Sequence, residues 1–120
     1  MTPQKEPQAP KEPSEETQQK IMQLQTMEQQ LQMILSQKQQ FQGQMLEVET
    51  AQGELAKAKN AYKIVGGIMV QADPKSLSSE LAEKQEMLKL RIQATDKQEK
   101  QLREKATKIQ EEVMKAIGQQ

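Results

Sequence analysis

From Leu24 to Leu55 the apolar side chains return on a seven-residue repeat, with Leu24, Leu31 and Met45 at position a and Met27, Ile34, Phe41, Val48 and Leu55 at position d. A stripe this narrow is covered by a matching stripe on another helix, so the repeat commits the chain to a coiled coil. A second repeat supplies the match. It places Leu81, Leu88, Thr95, Leu102, Ile109 and Ala116 at d, and Gln85, Ile92, Glu99, Ala106 and Val113 at a. Lys38 and Gln52 interrupt the a series of the first repeat, and Gly43 and Gly53 inside it each cost about 1 kcal/mol relative to alanine. Packing along the seam has to offset that loss. The glutamines between Gln18 and Gln44 resemble a prion-like tract in composition, but glutamine forms helices well and most of these lie between the seam positions. They are read as a solvated helix face.

Composition agrees with long helices and excludes most chemistry. At 34% hydrophobic and 2% aromatic residues, with a mean hydropathy of -0.90, no large globular core is available. Disorder usually brings a large net charge and no apolar period, whereas here the net charge is +0. Histidine and cysteine are both absent, which removes disulfides, thiol nucleophiles, imidazole bases and the usual zinc ligands. With Asp73 and Asp96 as the sole aspartates, no catalytic triad or metal site can be assembled, and neither enzymatic activity nor a cofactor is expected. The 17 basic residues balance 17 acidic ones and alternate with them along the second repeat, so neither nucleic acid nor membrane is an expected partner. No stretch approaches the ~18 apolar residues of a membrane span, and the N-terminal residues are Pro- and Glu-rich rather than basic then apolar. A cytoplasmic location is the expectation.

Prolines divide the chain. Pro3, Pro7, Pro10 and Pro13 mark residues 1–14 as a disordered tail. Pro7 to Pro10 and Pro10 to Pro13 have the spacing of a polyproline docking peptide, a spacing that also arises often by chance. Ser14 can cap a first helix over 15–60, whose opening acids Glu15 and Glu16 suit the positive end of the helix dipole. Asp73 followed by Pro74 is a helix start, and Gly118 a helix stop, which sets the second helix at 73–118 and leaves 119–120 as the C-terminal end. Glu80 with Lys84, Glu99 with Arg103 and Glu111 with Lys115 have the spacing of outer-face ion pairs. Each helix is roughly 40 residues or about 60 Å long, and a short connection makes them antiparallel. Folding back near Gly66 and Gly67 then brings Lys38 to the level of Glu99 and Gln52 to that of Gln85, so polar seam residues meet polar seam residues, and registers one layer away fit as well.

The connection, residues 61–72, departs from the helical period. Ala61-Tyr62-Lys63-Ile64-Val65 and Ile68-Met69-Val70-Gln71 are β-prone runs separated by Gly66-Gly67, the signature of a hairpin closed by a type I′ turn. Such a turn pairs Val65 with Ile68 and Lys63 with Val70 on one face, and Ile64 with Met69 and Tyr62 with Gln71 on the other. Both faces are apolar. A lone hairpin of this kind is marginal in water and carries open edges, so it calls for other chains.

The run from Ala61 to Val70 resembles the strand-turn-strand signature of beta-class prefoldin subunits of the archaeal kind, in which aromatic-Lys-aliphatic-aliphatic-Gly precedes three aliphatic residues. Glu86-Met87-Leu88-Lys89-Leu90-Arg91-Ile92 is similar to that family's second helix. Gly67 stands where the family often has proline. Alpha-class subunits carry two hairpins, and residues 60–73 have room for one. The resemblance implies a mainly α fold: a long antiparallel coiled-coil helical hairpin with one β-hairpin at the connection, assembling into a shared β-barrel platform in a hexamer of two alpha and four beta subunits. It further implies a chaperone that binds unfolded proteins at the coiled-coil tips, prevents their aggregation and passes them to a group II chaperonin without ATP. On that basis the oligomerisation hairpin comprises Tyr62, Ile64, Val65, Gly66, Gly67, Ile68, Met69 and Val70. The client-binding tips comprise Ile21, Met22, Leu24, Met27, Val113, Met114 and Ile117. Methionine suits varied clients because its side chain is flexible and polarizable. For Leu24, Met27 and Val113 ordinary seam packing is an equal alternative. The competing function is a structural coiled-coil adaptor or tether that holds no client.

Overall fold

The computed structural model describes residues 13–118. Two long helices are joined through a β-hairpin, in the order α1 (Glu15–Leu55), β1 (Ala61–Val65), β2 (Ile68–Ala72) and α2 (Pro74–Gly118). Most of the expected N-terminal tail, residues 1–12, and the expected C-terminal end, 119–120, lie outside the described residues.

Helix α1 starts where its cap residue predicts. The Thr17 backbone N–H donates to Ser14 Oγ at 3.2 Å, and the two side-chain oxygens are 2.9 Å apart. Thr17 occupies the a position one heptad before Leu24 and is buried, its hydroxyl satisfied by the capping serine. The helix ends at Leu55 and does not continue to residue 60 as expected. Its last turn tightens, with the Lys57 N–H reaching Glu54 O at 3.1 Å and the Ala58 N–H reaching Leu55 O at 3.2 Å. Ala56 to Lys59 favour helix by propensity, but the next seam positions after Leu55 are Lys59 and Tyr62. Without an apolar side chain to bury, another helical turn gains little.

Helix α2 is capped by Asp73, whose Oδ2 accepts from the Ser76 N–H at 3.2 Å and from the Ser76 hydroxyl at 3.0 Å. Pro74 fills the first helical position, where its missing N–H costs no hydrogen bond.

The chain packs as two compact units. Residues up to Met33 together with those from Glu99 form the first. In it Met27 and Val113 are buried and Leu24, Leu31, Leu102, Ala106 and Ile109 are half-buried, all on the two heptad seams. Lys20 Nζ, near the start of α1, lies 3.3 Å from Glu112 Oε2 near the end of α2, so the helices run antiparallel here. Ala116, expected in the seam, is exposed.

Ile34–Gln98 form the second unit. Its core contains Val48, Leu88 and Ala61, flanked by half-buried Ile34, Met45, Leu81 and Ile92. The Arg91 guanidinium stands 5.7 Å from the centre of the Phe41 ring, within cation–π range. Thr95 is a buried polar d residue whose hydroxyl donates to the carbonyls of Arg91 at 2.8 Å and Ile92 at 2.9 Å, so it is satisfied within its own helix. Among the described residues no buried side-chain nitrogen or oxygen lacks a hydrogen-bond partner.

Candidate functional site

The hairpin is the first candidate surface. Gly66 has φ of 58° and Gly67 of 79°, both in the left-handed region, as a type I′ turn requires. The strands pair antiparallel with Val65 opposite Ile68, Ile64 opposite Met69, Lys63 opposite Val70, Tyr62 opposite Gln71 and Ala61 opposite Ala72. Side chains alternate along a strand, so Ala61, Lys63, Val65, Ile68, Val70 and Ala72 share one face, and Tyr62, Ile64, Met69 and Gln71 share the other. All six large apolar side chains are exposed, from 38% at Val70 to 71% at Ile64. Within the described residues the sheet has two strands, which leaves each with an unpaired edge of backbone donors and acceptors. Apolar faces and open edges together form a surface suited to pairing with further strands.

The second candidate surface lies at the helix ends in the unit containing Glu99–Gly118 of α2. The residues expected to contact clients separate into two groups there. Met27 and Val113, each 7% exposed, belong to the coil interior. Met22 at 66%, Met114 at 70% and Ile117 stand open. Ile21 and Leu24 are half-buried and line an open groove of about 520 Å³ with Met27 and Leu31 from α1 and Leu102 and Ala106 from α2. Met27 and Val113 are thus packed inside the coil, whereas Met22, Met114 and Ile117 are exposed.

Three features escaped the sequence pattern. Met33, Leu46, Met87 and Leu90 are large, apolar and exposed, at helix positions off the seam where the heptad carries no information. Ala61 opens the first strand yet is buried, which its small size did not signal. Glu80, offered by helix spacing to Lys84, instead reaches Lys63 Nζ on β1 at 3.5 Å. Among the described residues no group of three or more acidic side chains could hold a metal ion, and no helix is long and apolar enough to cross a membrane.

Residues 18–120 match the family described as prefoldin subunit. Prefoldin subunit beta of Methanococcus vannielii is 41% identical over 58 residues, which is 48% of this chain and 51% of that protein. The Methanococcus maripaludis counterpart is 41% identical over 62 residues, 52% of this chain and 55% of that one. These matches span about half the length of each relative. The crystal structure of the prefoldin beta subunit from Thermococcus strain KS-1 superposes with a TM-score of 0.81 at 31% identity, covering 88% of this chain and 96% of the other.

Proposed function

The chain belongs to the prefoldin family, and from that membership we propose that it works as a beta-type chaperone subunit in the cytoplasm. In this proposal its hairpin joins those of partner subunits, two alpha-type and four beta-type chains in all, in a shared β-barrel platform. The exposed apolar groups at the helix ends hold unfolded proteins, keep them from aggregating and release them to a group II chaperonin. No catalytic step and no nucleotide enter.

The observation that carries the proposal is the hairpin. Six large apolar side chains stand exposed on two faces of a two-stranded sheet, more than a chain of this composition would leave to water without a partner. Strand edges supply directional hydrogen bonds and the faces supply burial, which is the combination a barrel of several hairpins needs. At the other surface, methionine and isoleucine at the helix ends offer adaptable contact without a defined pocket.

Native mass spectrometry of the chain mixed with an alpha-type prefoldin subunit tests assembly, and light scattering of a heat-denatured client tests holding. A hexamer that suppresses scattering is the expected result. A hexamer that leaves scattering unchanged would replace the chaperone reading by a tether, and absence of any mixed assembly would remove the platform.

A further inference from the structure

The two faces of the hairpin are nearly equal in apolar content, yet the fold treats them differently. Val65, Ile68 and Val70 lie on one and Tyr62, Ile64 and Met69 on the other. Burial of apolar area has no direction of its own and hardly discriminates between such faces. On the first face cover is confined to the foot of the hairpin, where Ala61 is buried and Ala72 half-buried; Val70 is the least exposed of the six large side chains, and Val65 and Ile68 stand open. On the second every residue is exposed. Lys63 shares the first face, opposite Val70, and its ammonium meets Glu80 in the second turn of α2 at 3.5 Å. Glu80 has the helix spacing to pair with Lys84 on its own helix and reaches the hairpin instead.

We propose that the Lys63–Glu80 pair is an orientation lock: it holds the Ala61/Lys63/Val70 face over the start of α2 and so selects the Tyr62/Ile64/Met69 face as the one offered to a partner subunit. The proposal rests on the assembly reading above and adds to it the residues that set which way the hairpin presents itself. Both side chains are partly exposed, 43% for Lys63 and 58% for Glu80, so the pair is a weak bond. A weak bond suffices where the two faces carry nearly equal apolar content. A charge pair is specific where a hydrophobic contact is not. Lys63 and Glu80 are therefore positioning residues for assembly.

The test uses the full-length chain with Glu80→Lys, Lys63→Glu, and both together. In the isolated chain, each single change should speed hydrogen exchange of the Tyr62–Gln71 amides about two- to fivefold, the range of an exposed ion pair. The double exchange of charges should restore the original rate, and about 1 M salt should erase the difference between single variants and the parent. With an alpha-type subunit, the single changes should slow appearance of the hexamer and the double change should recover it. Unaltered exchange in the single variants, or no recovery in the double variant, would overturn the lock. Failure of the platform itself reads differently: the parent chain would then not assemble, while the exchange pattern of the isolated variants would still report on Lys63 and Glu80.

Discussion

Lys38 Nζ on α1 lies 2.6 Å from Asp96 Oδ1 on α2, a charged contact made from a seam position that the heptad reserves for apolar side chains. The lysine side chain is 26% exposed, so its stem packs along the seam while its head is turned to the acid. A polar residue at one a position selects register at some loss of stability. Lys38→Leu should therefore raise the urea midpoint of unfolding, by about 1 kcal/mol in stability. It should also broaden the distribution of helix registers, measured by spin-label distances between α1 and α2. A less stable leucine variant would mean that the ion pair outweighs the burial it displaces.

The turn offers a sharper backbone test. With φ of 58° at Gly66, a valine there is forced into the left-handed region, at about 1–2 kcal/mol, and its branched Cβ adds to the strain. No atom crowds the position, so the penalty is one of backbone and not of space. Gly66→Val should speed hydrogen exchange in Ile64, Val65, Ile68 and Met69 and reduce mixed assembly, with helicity kept. An unchanged hairpin carrying valine would count against the type I′ geometry.

How far the sequence predicts the structure varies by element. The pair Gly66-Gly67 between β-prone runs implied both turn and register, because a two-residue loop permits a single pairing. The seams at Met27, Val48, Leu88 and Val113 were legible from period alone. The end of α1 was not: Ala56 to Lys59 favour helix by propensity, and what stops it is the lack of an apolar seam residue between Leu55 and Tyr62, a tertiary cause. The division of the tip residues into buried Met27 and Val113 and exposed Met22, Met114 and Ile117 follows from heptad phase, since the buried two sit at d and a and Met22 and Met114 lie off the seam. Ile21 and Leu24, half-buried, stay between the groups because they edge the groove. The Lys63–Glu80 contact joins strand to helix, a pairing that no single-element period contains.

Assembly should fail before folding does. Ile64 and Ile68 lie on opposite hairpin faces and are both exposed, so Ile64→Lys with Ile68→Lys removes no core contact. Helicity by circular dichroism should stay at the parent level, and native mass should fall toward the monomer. Normal hexamer formation by this variant would exclude the hairpin as the assembly surface.

The start of α2 depends on one carboxylate. Asp73 Oδ2 accepts from the Ser76 N–H and hydroxyl, satisfying a backbone donor that the helix itself cannot. Asp73→Ala should lower stability by about 1 kcal/mol, and Asp73→Asn by less, since asparagine is also a good cap. Equilibrium unfolding of both variants checks the order, and equal losses would show that charge, not capping, is what matters.

Client holding can be separated from coil packing by comparing residues a few positions apart. Met22 and Met114 are exposed and off the seam, so Met22→Glu with Met114→Glu should change stability by no more than about 0.5 kcal/mol. Met27 is buried at d, and Met27→Ala should cost about 2 kcal/mol or more through the cavity it leaves. If unfolded proteins are gripped by exposed apolar groups at the helix ends, the double glutamate variant loses aggregation suppression while keeping its hexamer and its unfolding midpoint. The Met27→Ala variant does the reverse: its midpoint falls, and below that midpoint it still suppresses aggregation. Added charge explains the first outcome, because an apolar client segment would have to strip water from two carboxylates to dock. Light scattering, native mass and helicity should be measured on the same preparations of both variants. Full suppression by the glutamate variant would move the client surface away from Met22 and Met114. The groove edged by Ile21 and Leu24 would then be the next surface to substitute.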